Sequence, residues 1–125
     1  MNKFYSMILV LMALASTPLA SAQGNLQFNQ VVLITLDIDT PYPFTVPTGK
    51  IWKIQSASSG YYSSTVYLRD ASANYLATLY ANNLDYRVNF PYWLPTGFTG
   101  DFRRVGNTSS GPKATVSIIE FNVIP

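Results

Sequence analysis

Almost everything after residue 30 alternates with a period of two. From Val32 the side chains of Ile34, Leu36 and Ile38 fall on one side of an extended chain, and Leu33, Thr35, Asp37 and Asp39 fall on the other. Successive side chains of a strand point to opposite faces, so this spacing marks β-structure with one face against a core. The first strand is expected over 32–39, stopped by Pro41 and Pro43. A short extended piece at 44–46 leads into a turn at Pro47, Thr48, Gly49 and Lys50. Residues 51–57 then resume as a strand, with Trp52 and Ile54 opposite Lys53 and Gln55. Further strands are expected at 65–70, 75–80, 86–90 and 114–123, separated by polar connections at 71–74 and 81–85 and by the run "VGNTSSGPK". No window carries a helical period. The expectation is an all-β chain folded as an antiparallel β-sandwich, jelly-roll-like, of about seven or eight strands.

The chain has no cysteine, so no disulfide can staple it and packing alone must hold it. Its first residues have the form of a secretory signal peptide: Lys3 at the start, an apolar run over 5–15, a break at Pro18, and the small residues Ala20, Ser21 and Ala22. That apolar run is shorter than the roughly 20 residues a membrane-spanning helix needs, and no later stretch replaces it. The expected division is a signal peptide at 1–22 and one β-sandwich domain at 23–125, with the mature protein secreted to the cell surface or periplasm. The 103 residues of the second part suffice for one compact domain.

Charge and missing side chains exclude several functions. Charged residues are only 11% of the chain, against about a quarter in ordinary domains. The formal net charge of +2 is spread along the sequence, whereas nucleic-acid binding needs a clustered basic face. Without His or Cys, neither a Ser-His-Asp triad nor a Cys-His pair can be built, and imidazole or thiolate zinc sites are ruled out. Asp37 and Asp39 stand two apart, so on a strand they would share a face. A glycosidase usually draws its carboxylate pair from separate elements lining a cleft, and "DIDT" lacks the remainder of a calcium loop. The expectation is no enzyme and no cofactor, with calcium at Asp37 and Asp39 left open against a solvated strand end.

The segments "VPTGKI" at 46–51 and "LPTGFT" at 94–99 echo each other, each beside a tryptophan: Trp52 follows the first and Trp93 precedes the second. Both are expected to be tight corner turns in which Gly supplies a positive φ and Trp covers the corner. Pro47 to Ile54, the later W-L-P-x-G and the closing I-x-E-F-N at 118–122 resemble small exported bacterial β-sandwich proteins, most of them without assigned function. The likeness touches about half of the mature chain by position. It implies fold and export and brings no catalytic residues.

Two binding functions remain. The strands within "QVVLITLDI" and "ATVSIIEFNVI" are apolar on much of both faces, more than a sheet with one wet side requires. A second apolar face calls for another layer, supplied by a further copy or another surface protein, and few charges oppose it. The alternative to another layer is that these are the innermost strands of the sandwich. The competing function is carbohydrate binding, because sugars offer C–H faces that stack on exposed aromatics. Tyr61 and Tyr62 in "SSGYYSS", and Tyr92 and Trp93 between Pro91 and Pro95, are the candidate platforms, with Arg87 and Asn83 as polar rim groups. Trp52 is assigned to the core instead. Arg103 and Arg104 make a solvated loop pair or an anion site.

Overall fold

The computed structural model describes residues 25–60, 64–82, 88–106 and 112–124. Within them lie eight strands: β1 (Asn25–Leu36), β2 (Tyr42–Thr45), β3 (Lys50–Ser59), β4 (Thr65–Asp70), β5 (Tyr75–Ala81), β6 (Tyr92–Leu94), β7 (Thr99–Val105) and β8 (Ala114–Ile124). They form two four-stranded sheets, sheet A in the order β1-β8-β3-β6 and sheet B in the order β2-β7-β4-β5. All named pairs are antiparallel, and β1 lies beside β8, β2 beside β7, β3 beside β6 and β4 beside β5. A ribbon doubled back on itself and then rolled gives this nesting of first strand with last, which is the jelly-roll topology.

The alternation read from the sequence fills the space between the sheets. Ile34 and Leu36 of β1, Trp52 and Ile54 of β3, and Val116 and Ile118 of β8 face Phe44 of β2, Val66 and Leu68 of β4, Leu79 of β5 and Phe102 of β7, all buried. Each such side chain contributes about 1.5–3 kcal/mol on leaving water. Phe44 is the centre of an aromatic group, its ring 4.5 Å from Phe102, 5.3 Å from Trp52 and 6.0 Å from Phe98. Trp52 is therefore a core residue, as its face on the strand implied.

The echoed turns are one corner seen twice. Gly49 and Gly97 take φ values of 73° and 75°, which an L side chain adopts only under strain. Lys50 N–H donates to Pro47 O at 3.1 Å, and Phe98 N–H donates to Pro95 O at 3.1 Å. The two turns then bond to each other. Val46 N–H donates to Phe98 O and Gly97 N–H to Val46 O, both at 2.9 Å, while the Thr96 hydroxyl accepts from Gly49 N–H at 3.0 Å and donates to Pro47 O at 3.1 Å. The link from β2 to β3 and the link from β6 to β7 both cross between the sheets here, so the paired turns lock one end of the sandwich.

Four expectations about the strands need correction. Residues 88–90 belong to no strand; the neighbouring short strand is β6, bounded by Pro91 and Pro95. The run "TGDFRRV" is a full strand, β7, whose buried Gly100, Phe102 and Arg104 alternate with Asp101 and Arg103. The first strand begins earlier and ends at Leu36 rather than at Asp39. Pro43 does not end structure either: it sits within β2 at the edge of sheet B, where one missing N–H costs no ladder bond.

Candidate functional site: the outer face of one sheet

Antiparallel partners project to the same side, so the register of sheet A tells which residues share its outer face. Leu26 pairs with Val123, Phe28 with Phe121, Val31 with Ile119 and Leu33 with Ser117 between β1 and β8. Across β8 the rows continue to β3, Phe121 facing Ile51 and Ile119 facing Lys53, and Lys53 in turn faces Trp93 of β6. Apolar side chains thus reach all four strands, with Ser117 and Lys53 among them. Their exposure is high: Leu33 is 66% exposed, Phe28 59%, Val31 55% and Trp93 50%. The indole of Trp93 lies 5.8 Å from the ring of Phe121, and the Lys53 ammonium sits 5.4 Å from its centroid. Lys53 is the one charged residue among these rows, and its position over the ring suits a cation–π contact.

The outer face of sheet B is built differently. Arg69 donates through Nε to Asp101 Oδ1 at 2.8 Å and through Nη2 to Asp101 Oδ2 at 2.9 Å, the forked pairing that guanidinium and carboxylate favour. The same guanidinium carbon lies 5.7 Å from the centroid of Tyr75, whose ring meets Tyr67 edge-on at 4.7 Å. The hydrogen bonds that Arg69 donates to Asp101 raise its pKa above the ordinary value, against the opposing effect of burial. One outer face is therefore polar and braced by an ion pair, and the other is apolar and open.

Under the apolar face one buried carboxylate organises the β1 edge. Glu120 points inward from β8, only 4% exposed. Its Oε2 accepts from Trp52 Nε1 at 2.7 Å, and its Oε1 accepts from Asn29 Nδ2 at 2.6 Å and Gln30 Nε2 at 3.0 Å. Two consecutive residues of one strand reach a single acceptor because the register shifts between Phe28 and Gln30, the mark of a β-bulge. Burial pushes the Glu120 pKa up, but the three donors and the charge of Lys50 outweigh it, and the carboxyl titrates below its ordinary value. The Lys50 ammonium is itself bonded to Asn122 Oδ1. This cluster fixes the bulged edge and offers no acid or base to a substrate.

The aromatic candidates are separated rather than gathered. Tyr92 pairs with the buried Ile54 and turns inward, packing on the core and meeting Phe90 edge-on at 5.8 Å, while Trp93 turns outward. The two therefore form no common platform. Tyr61, Tyr62, Asn83 and Arg87 lie outside the described residues. Asp37 is bound by Lys113 at 3.0 Å on an exposed surface. Asp39 has a φ of 53° and donates its N–H to Arg104 O at 2.8 Å, so strand alternation ends before it and the pair shares no strand face. Among the described residues no three carboxylates gather where they could hold a metal ion. No described helix is long and apolar enough to cross a membrane.

No family model, curated protein or solved structure matches the chain.

Glu120, the Asn29 bulge and the strand β7 are what sequence reasoning missed. A lone acid at an inward position of "ATVSIIEFNVI" was the available signal for the first. Neither the donors on β1 nor the bulge that presents them had one.

Proposed function

We propose that this is an exported, non-catalytic structural module that associates with a second copy of itself through the outer face of sheet A. The observation that carries this is the apolar surface from Leu26 and Leu33 on β1 to Trp93 on β6. With about 150–250 Å² for a large aromatic and somewhat less for Leu or Val, the exposed fractions of Leu26, Phe28, Val31, Leu33, Trp93 and Val123 amount to roughly 600 Å². The largest apolar patch of an ordinary monomer is about 300–600 Å², and a stable association buries about 800 Å² on each partner. The patch alone supplies most of that area, before its partly buried neighbours Ile51, Ile119 and Phe121 are counted.

A second copy is the partner that this chemistry fits. The face carries one described charge, Lys53, and no acid, so it offers nothing for a charged partner to complement. An apolar sheet face is instead self-complementary, and two such faces pack about 10 Å apart with their strands within about 30° of alignment. Two jelly rolls joined this way bury on both sides the strands whose composition was too apolar for one wet face. Export is supported by the signal-peptide form of residues 1–22 and by the likeness to small exported β-sandwich proteins.

The test is sedimentation velocity on the exported protein and on Leu33→Glu. Leu33 is exposed, so this substitution leaves the core intact, while two introduced carboxylates would face the apolar surface of the opposing copy. The wild type is expected to sediment as a dimer at micromolar concentration and Leu33→Glu as a monomer with unchanged circular dichroism. A wild type that stays monomeric to millimolar concentration would refute the proposal.

A further inference from the structure

At the end of the sandwich away from the paired turns, the core row of β7 finishes in a charge. Phe102 is fully buried and the next inward residue is Arg104, 2% exposed, beside Val66 of β4 in the register. The β1–β2 connection crosses it, Ile38 forming a parallel bridge with Arg104 and Asp39 N–H bonding its carbonyl. The strand ends around it are polar: Ser64 is buried, and its hydroxyl bonds that of Ser59. Among the described residues, neither Nε nor Nη2 of Arg104 meets an acceptor.

A guanidinium keeps its proton at any physiological pH, so burial cannot neutralise it as it would a lysine. A buried charge without partners costs several kcal/mol, and folded chains retain one only where something answers it. Glu120, the other inward charge, shows what an answered group looks like here, with three donors on two oxygens. It cannot serve Arg104, because it stands on β8 level with Trp52 toward the turn end, whereas Arg104 is one residue from the opposite end of β7. The open donors also form a specific shape. Nε and Nη2 are the edge with which Arg69 grips both oxygens of Asp101, and in Arg104 that same edge faces the interior.

We propose that Arg104 is a binding site for a carboxylate, taken in bidentate fashion by its Nε–Nη2 edge from the end of the sandwich where β7 stops. The ligand class is a small molecule or sugar acid carrying one carboxylate. The site is independent of the apolar face of sheet A. Arg103, on the other face of β7, has its Nε alone buried without a partner and so presents no buried fork.

Nitrogen-edited NMR of the arginine Nε–H groups tests this, with sodium acetate titrated against sodium chloride at equal ionic strength and sodium sulfate as a second arm. The Arg104 Nε–H resonance is expected to move downfield and saturate with acetate but not with chloride, and the melting temperature to rise with the same midpoint. Arg104→Met, which removes a buried charge and so should fold, is expected to abolish the acetate-dependent rise. Arg104→Lys, which lacks the fork and can give up its proton when buried, should weaken acetate at least tenfold. An Arg104 resonance indifferent to acetate, or an acetate-dependent rise that persists in Arg104→Met, would overturn the site. A stronger response to sulfate would overturn the assignment to carboxylates.

Discussion

Replacing Glu120 by Gln changes almost no volume and still breaks the bulged edge. A carboxylate accepts on both oxygens, and here Oε1 takes the amides of Asn29 and Gln30 while Oε2 takes the indole N–H of Trp52. An amide can accept at one end only. If its oxygen faces Asn29 and Gln30, its NH₂ confronts the Trp52 N–H; turned round, it confronts two donors. At least one buried donor is stranded, at about 1–3 kcal/mol, and the surviving bonds lose the strength that a charged acceptor gives them. Removing a buried charge returns part of this, so the net loss is about 2–3 kcal/mol. For a domain of this size that lowers the melting temperature by about 10–20 °C.

The loss also has a pH signature. The folded pKa of Glu120 lies below its ordinary value of 4.5, so the unfolded chain takes up the proton first as pH falls. The stabilisation by the carboxylate is therefore complete above about pH 4.5 and disappears as pH drops through the folded pKa. Gln does not titrate, so the gap between wild type and Glu120→Gln should be constant near neutrality and narrow below about pH 4.5. Urea melts of both proteins at several pH values measure this, with Trp52→Phe as the partner variant. The double variant should lose less than the sum of the two single losses, because both break one contact. A Glu120→Gln protein within 0.5 kcal/mol of wild type at neutral pH, or a gap unchanged by acid, would refute the role given to this carboxylate.

Two backbone sites should rank by different physics. A Cβ on Gly100 would fall 2.2 Å from the carbonyl oxygen of Arg69, whereas one on Gly49 meets nothing within 4 Å and is opposed only by a φ of +73°. Thermal melts should show Gly49→Ala costing about 1–2 kcal/mol and Gly100→Ala clearly more, since β4 and β7 must separate to admit the methyl group. Asp101→Asn removes the charged acceptor of the fork on Arg69 and should cost about 2 kcal/mol by chemical denaturation at neutral pH, without altering sedimentation.

The legible parts of this fold are those where one residue type occupies one face. Strand β4 runs Thr65–Asp70 as expected, and Trp52 and Ile54 lie inward as their alternation required. Strand β7 escaped because its inward row ends in Arg104 and begins with Gly100, so hydrophobicity shows the period at Phe102 alone. Strand β6 is only three residues between two prolines, too short to alternate visibly. The apolar outer face was written plainly into "QVVLITLDI", since Val31 and Leu33 occupy positions where an ordinary solvated sheet would place polar groups. Which strands continue that face was not legible: the pairing of β1 with β8, β8 with β3 and β3 with β6 joins residues far apart in sequence. The partners of Glu120 depend on the same long-range register and on a bulge with no local signature.

The two tryptophans make the central claim measurable, because Trp52 is 7% exposed in the core and Trp93 is 50% exposed on the outer face of sheet A. Acrylamide quenching of a Trp52→Phe protein reads Trp93 alone, and it can be followed beside sedimentation over a range of protein concentration. If a second copy covers sheet A, quenching of Trp93 falls over the same range in which the mass doubles. A mass that doubles while Trp93 remains fully quenchable would place the contact elsewhere, and a mass that never rises would remove the contact altogether.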